Sequence, residues 1–250
     1  MRNKLNSNIK IEAFIKAVDK QYFDSFINNG QVCLNTAEWF REYENNDTNI
    51  GDAYEGAKIA CGKGITLYAA NSIKSCTSIE ELKKKIDDTK WSEPISGGTD
   101  FKLFDSDNDA NIFSLYAITS SIYNGQVEEH ILPQKFVDEF SNHRFLMIVN
   151  PSLFISKMGD EIAKLGKSMR YDMVKYYKLD EELKDNLSFF DKQDRYVYQN
   201  EFRLIYEGRN ATQQILNLGS LNDICFEINP TKLMYRITND EVDLIIRMDN

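Results

Sequence analysis

The sequence predicts an α+β fold: a split, mostly antiparallel β-sheet core with flanking helices, in one domain over residues 1–250. Three observations carry this. Short apolar segments with strand-like alternation recur along the chain and are interrupted by helical ones. Strands and helices do not alternate regularly, as a doubly wound parallel sheet requires. No Gly-x-Gly-x-x-Gly, Walker loop or Gly-x-Ser-x-Gly elbow marks a strand-to-helix turn. A hydrophobic content of 42% with 12% aromatics is enough to build a sizeable core.

Taken in order, Ile9–Ala17 alternates as a strand. Asp19 is placed to cap a helix running to Asn28, with Tyr22, Phe23, Phe26 and Ile27 on its buried face. Asn28-Asn29-Gly30 ends that helix, with Gly30 left-handed. Gln31–Asn35 is a short strand, and Thr36 caps a helix that turns Trp39 and Phe40 inward. Asn45–Gly56 is a polar loop ending in Gly51-Asp52-Ala53-Tyr54-Glu55-Gly56. Its acidic pair could bind a cation, position a ligand or cap the loop, and two carboxylates alone are too few for calcium. Ala57–Ala70 reads as a hairpin turning at Cys61-Gly62-Lys63-Gly64. Ser78–Asp88 is an amphipathic helix with a Ser78/Glu81 capping box. Residues 93–109, rich in Gly, Ser and Asp, form a mobile loop.

Asn111–Ile118 is the next strand, with Ser114 and Tyr116 on one face. Pro133 opens a short helix with Phe136, Val137 and Phe140 inward. Arg144–Val149 is a buried strand, and Pro151 starts a helix to about Gly166. Met169–Tyr177 alternates as a strand. Phe189-Phe190-Asp191-Lys192 is an apolar anchor within Asp185–Arg195. Gln213–Leu218 and Ile224–Ile228 are strands, Pro230 starts a helical turn, and Val242–Arg247 closes an edge.

The most informative stretch is Tyr196–Tyr206. As one strand it directs Val197, Gln199, Glu201, Arg203 and Ile205 to one face. Tyr196, Tyr198, Phe202, Leu204 and Tyr206 go to the other, which belongs on the core. An amide, a carboxylate and a guanidinium then follow one another roughly 7 Å apart. Such groups in mid-strand must be exposed, paired or placed in a cleft. An exposed Glu201–Arg203 ion pair is the plain reading.

Composition narrows the function. A net charge of −9 argues against a broad nucleic-acid-binding surface. No apolar run is long enough to span a membrane, and the first eight residues carry no signal-peptide core. Cys33, Cys61, Cys76 and Cys225 are scattered, which suits reduced core thiols in a cytoplasm and gives no metal spacing. His130 and His143 are the only histidines, so histidine-based catalysis is not expected.

The Gln199-x-Glu201 pair at the head of an apolar strand resembles the catalytic-glutamate motif of ADP-ribosyltransferases. The strand–helix–Gly30–strand opening resembles that family's start, where the first strand delivers a basic or His residue to an NAD cleft. Lys16 stands at that strand end in place of Arg or His, and it would bind phosphate as a point charge and not as a fork. The chain also resembles, over most of its length, uncharacterised prophage and defence-island proteins. The shared features are the Gly-Asp-x-x-Glu-Gly loop and an aromatic-Gln-x-Glu-aromatic-Arg strand.

The resemblance implies an ADP-ribosyltransferase-like fold with NAD as substrate and no metal. Glu201 and Gln199 would be catalytic, with Glu201 on the nicotinamide-ribose 2′-OH and Gln199 toward the acceptor. Lys16, Ser114, Tyr116, Tyr198 and Arg203 would be cofactor-binding, although alternation puts Tyr198 opposite Glu201. The implied protein is a bacterial toxin or phage-defence effector that modifies a macromolecule, with an antitoxin or phage protein as partner. The alternative is a non-enzymatic module that binds a nucleotide or a partner in a defence or anti-defence system. Glu201 separates the two: an enzyme needs it free in a cleft, whereas a binder tolerates it locked to Arg203. On the enzyme reading, Glu201→Gln abolishes transfer and leaves the melting temperature nearly unchanged.

Overall fold

Eight antiparallel strands build the main sheet: Ile11–Asp19 (β1), Gln31–Thr36 (β2), Asp109–Thr119 (β3), His143–Ile148 (β4), Arg170–Met173 (β5), Glu201–Gly208 (β6), Gln214–Asn217 (β7) and Cys225–Ile228 (β8). Their order is β5-β6-β3-β1-β4-β8, and β2 joins β3 with β7 beyond it. Among the described residues the α-helices are Phe23–Asn29 (α1), Ala37–Tyr43 (α2), Gln134–Glu139 (α3) and Pro151–Lys164 (α4). The α+β class and the largely antiparallel sheet are therefore as the sequence predicts.

This computed structural model describes residues 10–44, 50–63, 66–67, 95–96, 100–105, 109–119, 128–209, 211–238 and 241–246. The helix expected over Ser78–Asp88, Cys76 and much of the 93–109 loop lie outside them.

The sheet forks along β3. One edge of β3 pairs with β6 from Asp109 to Tyr116. Its other edge pairs with β2 only at Asn111 and Ile112, and with β1 only from Tyr116 to Thr119. Beyond Ile15, β1 runs on against β4 alone, through Lys16 to Asp19. Among the described residues, Phe113, Ser114 and Leu115 thus have no ladder partner on this edge. The gap between β1 and β2 is where a cleft opens.

Alternation on the buried strands feeds apolar clusters on both faces. On one face Phe14, Phe113, Leu115, Phe202 and Leu204 pack with Phe154, Met158 and Ile162 of α4 and with Phe23 and Phe26 of α1. The other face is divided. Ile15, Tyr116 and Met147 pack under Phe136 of α3, while Ile112 and Ile205 pack with Ala37 of α2 and with Phe189 and Phe190. The polar site lies between these two halves.

Several local expectations hold. Thr36 Oγ1 accepts the Trp39 N–H at 3.0 Å to start α2. Asp19 caps a 3-10 turn at Lys20–Tyr22 that leads into α1. Gly30 ends α1 at φ 61°, and an added Cβ there would lie 2.2 Å from the Gly219 carbonyl oxygen, so only glycine fits. Asn150 caps α4 with Pro151 in its first turn.

Other expectations are corrected. The Tyr196–Tyr206 strand begins only at Glu201, because Asp194–Gln199 is a 3-10 turn and Asn200 is left-handed at φ 34°. Asn200 holds that break by donating Nδ2–H to the Ala117 carbonyl at 2.6 Å and accepting the Ala117 N–H at 2.9 Å. Phe202, Leu204 and Tyr206 lie on the core as alternation predicts, but the opposite face is buried too, with Glu201, Arg203 and Ile205 inside, so the Glu201–Arg203 pair is not the exposed one expected. The hairpin expected within 57–70 is replaced by two longer-range pairings. Ile59–Cys61 pairs with Phe101–Leu103, and Thr66–Leu67 with Ile95–Ser96, and the Gly62 N–H goes to the Asp180 carbonyl. The strand over Met169–Tyr177 is split at Val174, whose N–H bonds the Glu201 carbonyl, and Lys175–Tyr177 pairs in parallel with Asp191–Gln193. The tail strand Glu241–Ile246 is an edge strand as expected, but its sheet is a separate one, in which it lies on Leu233–Thr238 with Glu128–His130 beyond. Cys61 and Cys225 are buried thiols, whereas Cys33 is exposed at the cleft and not in the core.

Candidate functional site

The fork opens into a cleft of about 430 Å³. Lys16, Cys33, Asn35, Ser114, Gln199 and Glu201 contribute polar lining, and α2 presents Trp39, Phe40 and Tyr43 along one side. Sequence periodicity turns Trp39 and Phe40 inward; both are half-buried and line the cleft, and Phe40 also packs on the Ala37, Ile112 and Phe189 cluster. Trp39 stacks on Tyr43 at 4.4 Å between ring centres, which sets a flat aromatic surface at the mouth.

Lys16 projects from β1 just past the point where β1 leaves β3. Its Nζ donates to the Ser114 carbonyl at 2.9 Å and sits 4.5 Å over the Phe113 ring. The ammonium thereby satisfies a carbonyl that the fork leaves without a ladder partner. Burial lowers its pKa to about 8, against opposing pulls from Glu201 and Cys33.

Behind Lys16 lies a buried charge network. Glu201 is 4% exposed and Arg203 1%. Glu201 Oε1 accepts from Ser114 Oγ at 2.5 Å and from Arg203 Nε at 2.6 Å. Its Oε2 accepts from Lys192 Nζ at 3.0 Å and from Arg203 Nη2 at 3.4 Å. Burial pushes the Glu201 carboxyl up, but Arg203 and Lys192 outweigh it and hold the group well below the usual carboxylate range. Arg203 extends its other side to Glu55, Nη1 to Oε1 at 2.7 Å and Nη2 to Oε2 at 2.8 Å, a fork-on-fork pair. Glu55 and Arg203 are 148 residues apart.

The Gly51–Gly56 loop is thereby built into the site's floor. Its Glu55 is an ion-pair partner of Arg203, and its Asp52 accepts the Tyr54 N–H at 2.9 Å, so the pair anchors the loop. Among the described residues, no group of three His, Cys, Asp or Glu side chains is placed to hold a metal. Asp52 is 2% exposed, and burial raises its pKa against the pull of Lys192. A raised carboxyl favours the folded state when protonated. That gain is complete below the unfolded value of about 3.9 and is lost as pH rises through the folded value. Asp52→Asn keeps the acceptor for Tyr54 and removes the buried charge. It is expected to raise the melting temperature by a few degrees at pH 7–8, with the gap closing toward pH 4 in a pH series of thermal melts.

The residues singled out in the sequence therefore separate into groups. Lys16, Ser114, Glu201 and Arg203 are brought together. Gln199 reaches the same place from the 3-10 turn, accepting from Lys192 Nζ at 2.8 Å and donating to Glu139 at 3.1 Å. Tyr116 lines the cleft, but its hydroxyl is spent on the Ile131 carbonyl at 3.1 Å. Tyr198 is not a lining residue: it packs on the Phe136 cluster and donates to Glu139 at 2.6 Å.

Lys192 and Glu55 are central to the site and were missing from the sequence-based set. Lys192 follows the Phe189–Phe190 anchor, and a lysine so close to two buried aromatics was the available signal. Among the described residues no helix is long and apolar enough to cross a membrane. No protein-family model matches the chain, and no curated protein or solved structure matches it.

Proposed function

We propose that the fork cleft binds a nucleotide of the NAD class, in an arrangement like that of ADP-ribosyltransferases. The observation that carries this is the meeting of Lys16, Ser114 and Glu201, from three neighbouring strands far apart in sequence, in one chain of contacts. Lys16 offers a cation for phosphate, Ser114 a hydroxyl beside it, and Trp39, Phe40 and Tyr43 a surface for a planar ring. The acceptor sites of Glu201 already receive Ser114, Lys192 and two Arg203 nitrogens. Its part in this reading is to hold Ser114 and Lys192 in place. A glutamate locked to Arg203 suits a binding protein, which makes binding the first reading and turnover the second.

Calorimetric titration with NAD is expected to show saturable binding that weakens about tenfold or more in Lys16→Ala, since a charge-assisted contact is worth roughly 1.5–3 kcal/mol. The variant's melting temperature should stay near that of the wild type. Absence of binding, or equal binding by the variant, overturns the reading.

Transfer of ADP-ribose to a macromolecule, as by a bacterial toxin or phage-defence effector, is favoured by one observation. Glu201 lines the cleft as an ionised carboxylate beside Ser114. In that chemistry Glu201 would exchange one of its donors for the nicotinamide-ribose 2′-OH and stabilise the oxocarbenium-like transition state, while Gln199 faces the acceptor. Labelled NAD incubated with cell lysate separates the readings. Label on macromolecules, lost in Glu201→Gln, supports transfer; binding without turnover supports the binding module.

A further inference from the structure

Lys16 is unusual among the cations of this site: it is half-buried, whereas Lys192 and Arg203 are buried. Lys192 and Arg203 are each ion-paired to Glu201, and Arg203 also to Glu55. Among the described residues no carboxylate lies within ion-pair distance of Lys16 Nζ. It makes one hydrogen bond, to a neutral carbonyl, and rests on an aromatic face. It also lines an open cleft, so a small molecule can reach it. An amine that is partly desolvated, has no carboxylate at ion-pair distance and remains accessible has the attributes of a Schiff-base lysine. The nearby aromatic surface of α2 favours reactants that carry a ring.

We propose that Lys16 is the nucleophilic amine of the fork cleft, forming reversible imines with ring-bearing aldehydes. The neutral amine attacks the carbonyl carbon, and one nitrogen proton passes to the former carbonyl oxygen to give a carbinolamine. Loss of that hydroxyl with the second nitrogen proton, as water, leaves the C=N bond. The step needs no oxidant or reductant. It does not depend on NAD binding, because it requires only the cleft and the amine.

The test is reductive trapping on the full chain with benzaldehyde and cyanoborohydride, followed by peptide mapping, with acetaldehyde as a ringless comparison. A lysine titrating near 8 has on the order of a hundredfold more neutral amine at pH 8 than one near 10.4. Lys16 is therefore expected to be labelled at least about tenfold faster than the exposed Lys63 and Lys164. Half-maximal rate should fall near pH 8, and the preference should be smaller for acetaldehyde. Lys16→Arg should lose the fast site with its melting temperature retained. Labelling of Lys16 no faster than of Lys63 and Lys164, a rate rising only above pH 10, or a fast site that survives in Lys16→Arg would each overturn the proposal.

Discussion

Arg203→Met is expected to cost about 3–5 kcal/mol, a large part of the total stability of a domain this size. The guanidinium is essentially inaccessible and ties two buried carboxylates together, Glu55 through two bonds and Glu201 through its Nε. Its Nη1 also donates to the Phe189 carbonyl, which fixes the apolar anchor below the site. Methionine fills much of the volume but leaves two carboxylates facing each other without their shared cation. Urea denaturation reads the effect as a lower midpoint at similar slope. A second variant isolates the cause: Glu55→Gln added to Arg203→Met should cost less than the single change predicts by addition, because it removes one of the orphaned charges. A midpoint shift equivalent to less than about 0.5 kcal/mol for Arg203→Met would contradict the account of the network.

The second large effect is at Glu201. Glu201→Gln keeps the shape but replaces a fully donated carboxylate by an amide whose NH₂ faces an Arg203 nitrogen in either orientation, together with Lys192 in one and Ser114 in the other. A loss of about 3 kcal/mol is expected, which corrects the sequence-based expectation that this change leaves the melting temperature nearly unchanged. The sign with pH follows from the lowered folded pKa of Glu201. Its contribution is fully present above the unfolded carboxylate value, about 4.3, and is lost as pH falls through the folded value. The gap between wild type and Glu201→Gln should therefore persist at pH 5 and close only in stronger acid. Equal stability of the two proteins at pH 7 would mean that the carboxylate is not held as described.

The elements that local pattern governs were legible in the chain. Thr36, Gly30 and Pro151 each act on the few residues beside them, and their caps and breaks are found where the residue types put them. The register of the Glu201 strand was legible only from Glu201 onward. The left-handed turn at Asn200 is held by a contact with Ala117, which lies 83 residues away and leaves no trace in periodicity.

The site was half legible for the same reason. Lys16, Ser114 and Glu201 stand on strands whose type was readable. That β1 and β2 part around Ser114 is a property of pairing register across the sheet. Glu55 looked like loop chemistry because its partner is on another strand, and the loop's acidic pair gives no sign of whether it meets a metal, a ligand or an arginine. Lys192 reads as part of the Phe189–Lys192 anchor, and nothing local shows that its strand, Asp191–Gln193, turns the ammonium onto Gln199 and Glu201.

The most direct test of the cleft assignment is a crystal structure of the protein grown with NAD. The account predicts a phosphate within hydrogen-bonding reach of Lys16 Nζ, a ring against Trp39, Phe40 or Tyr43, and the Glu201–Arg203–Glu55 network unchanged beneath it. Nucleotide bound away from the fork, or a fork left empty at saturating NAD, would contradict it.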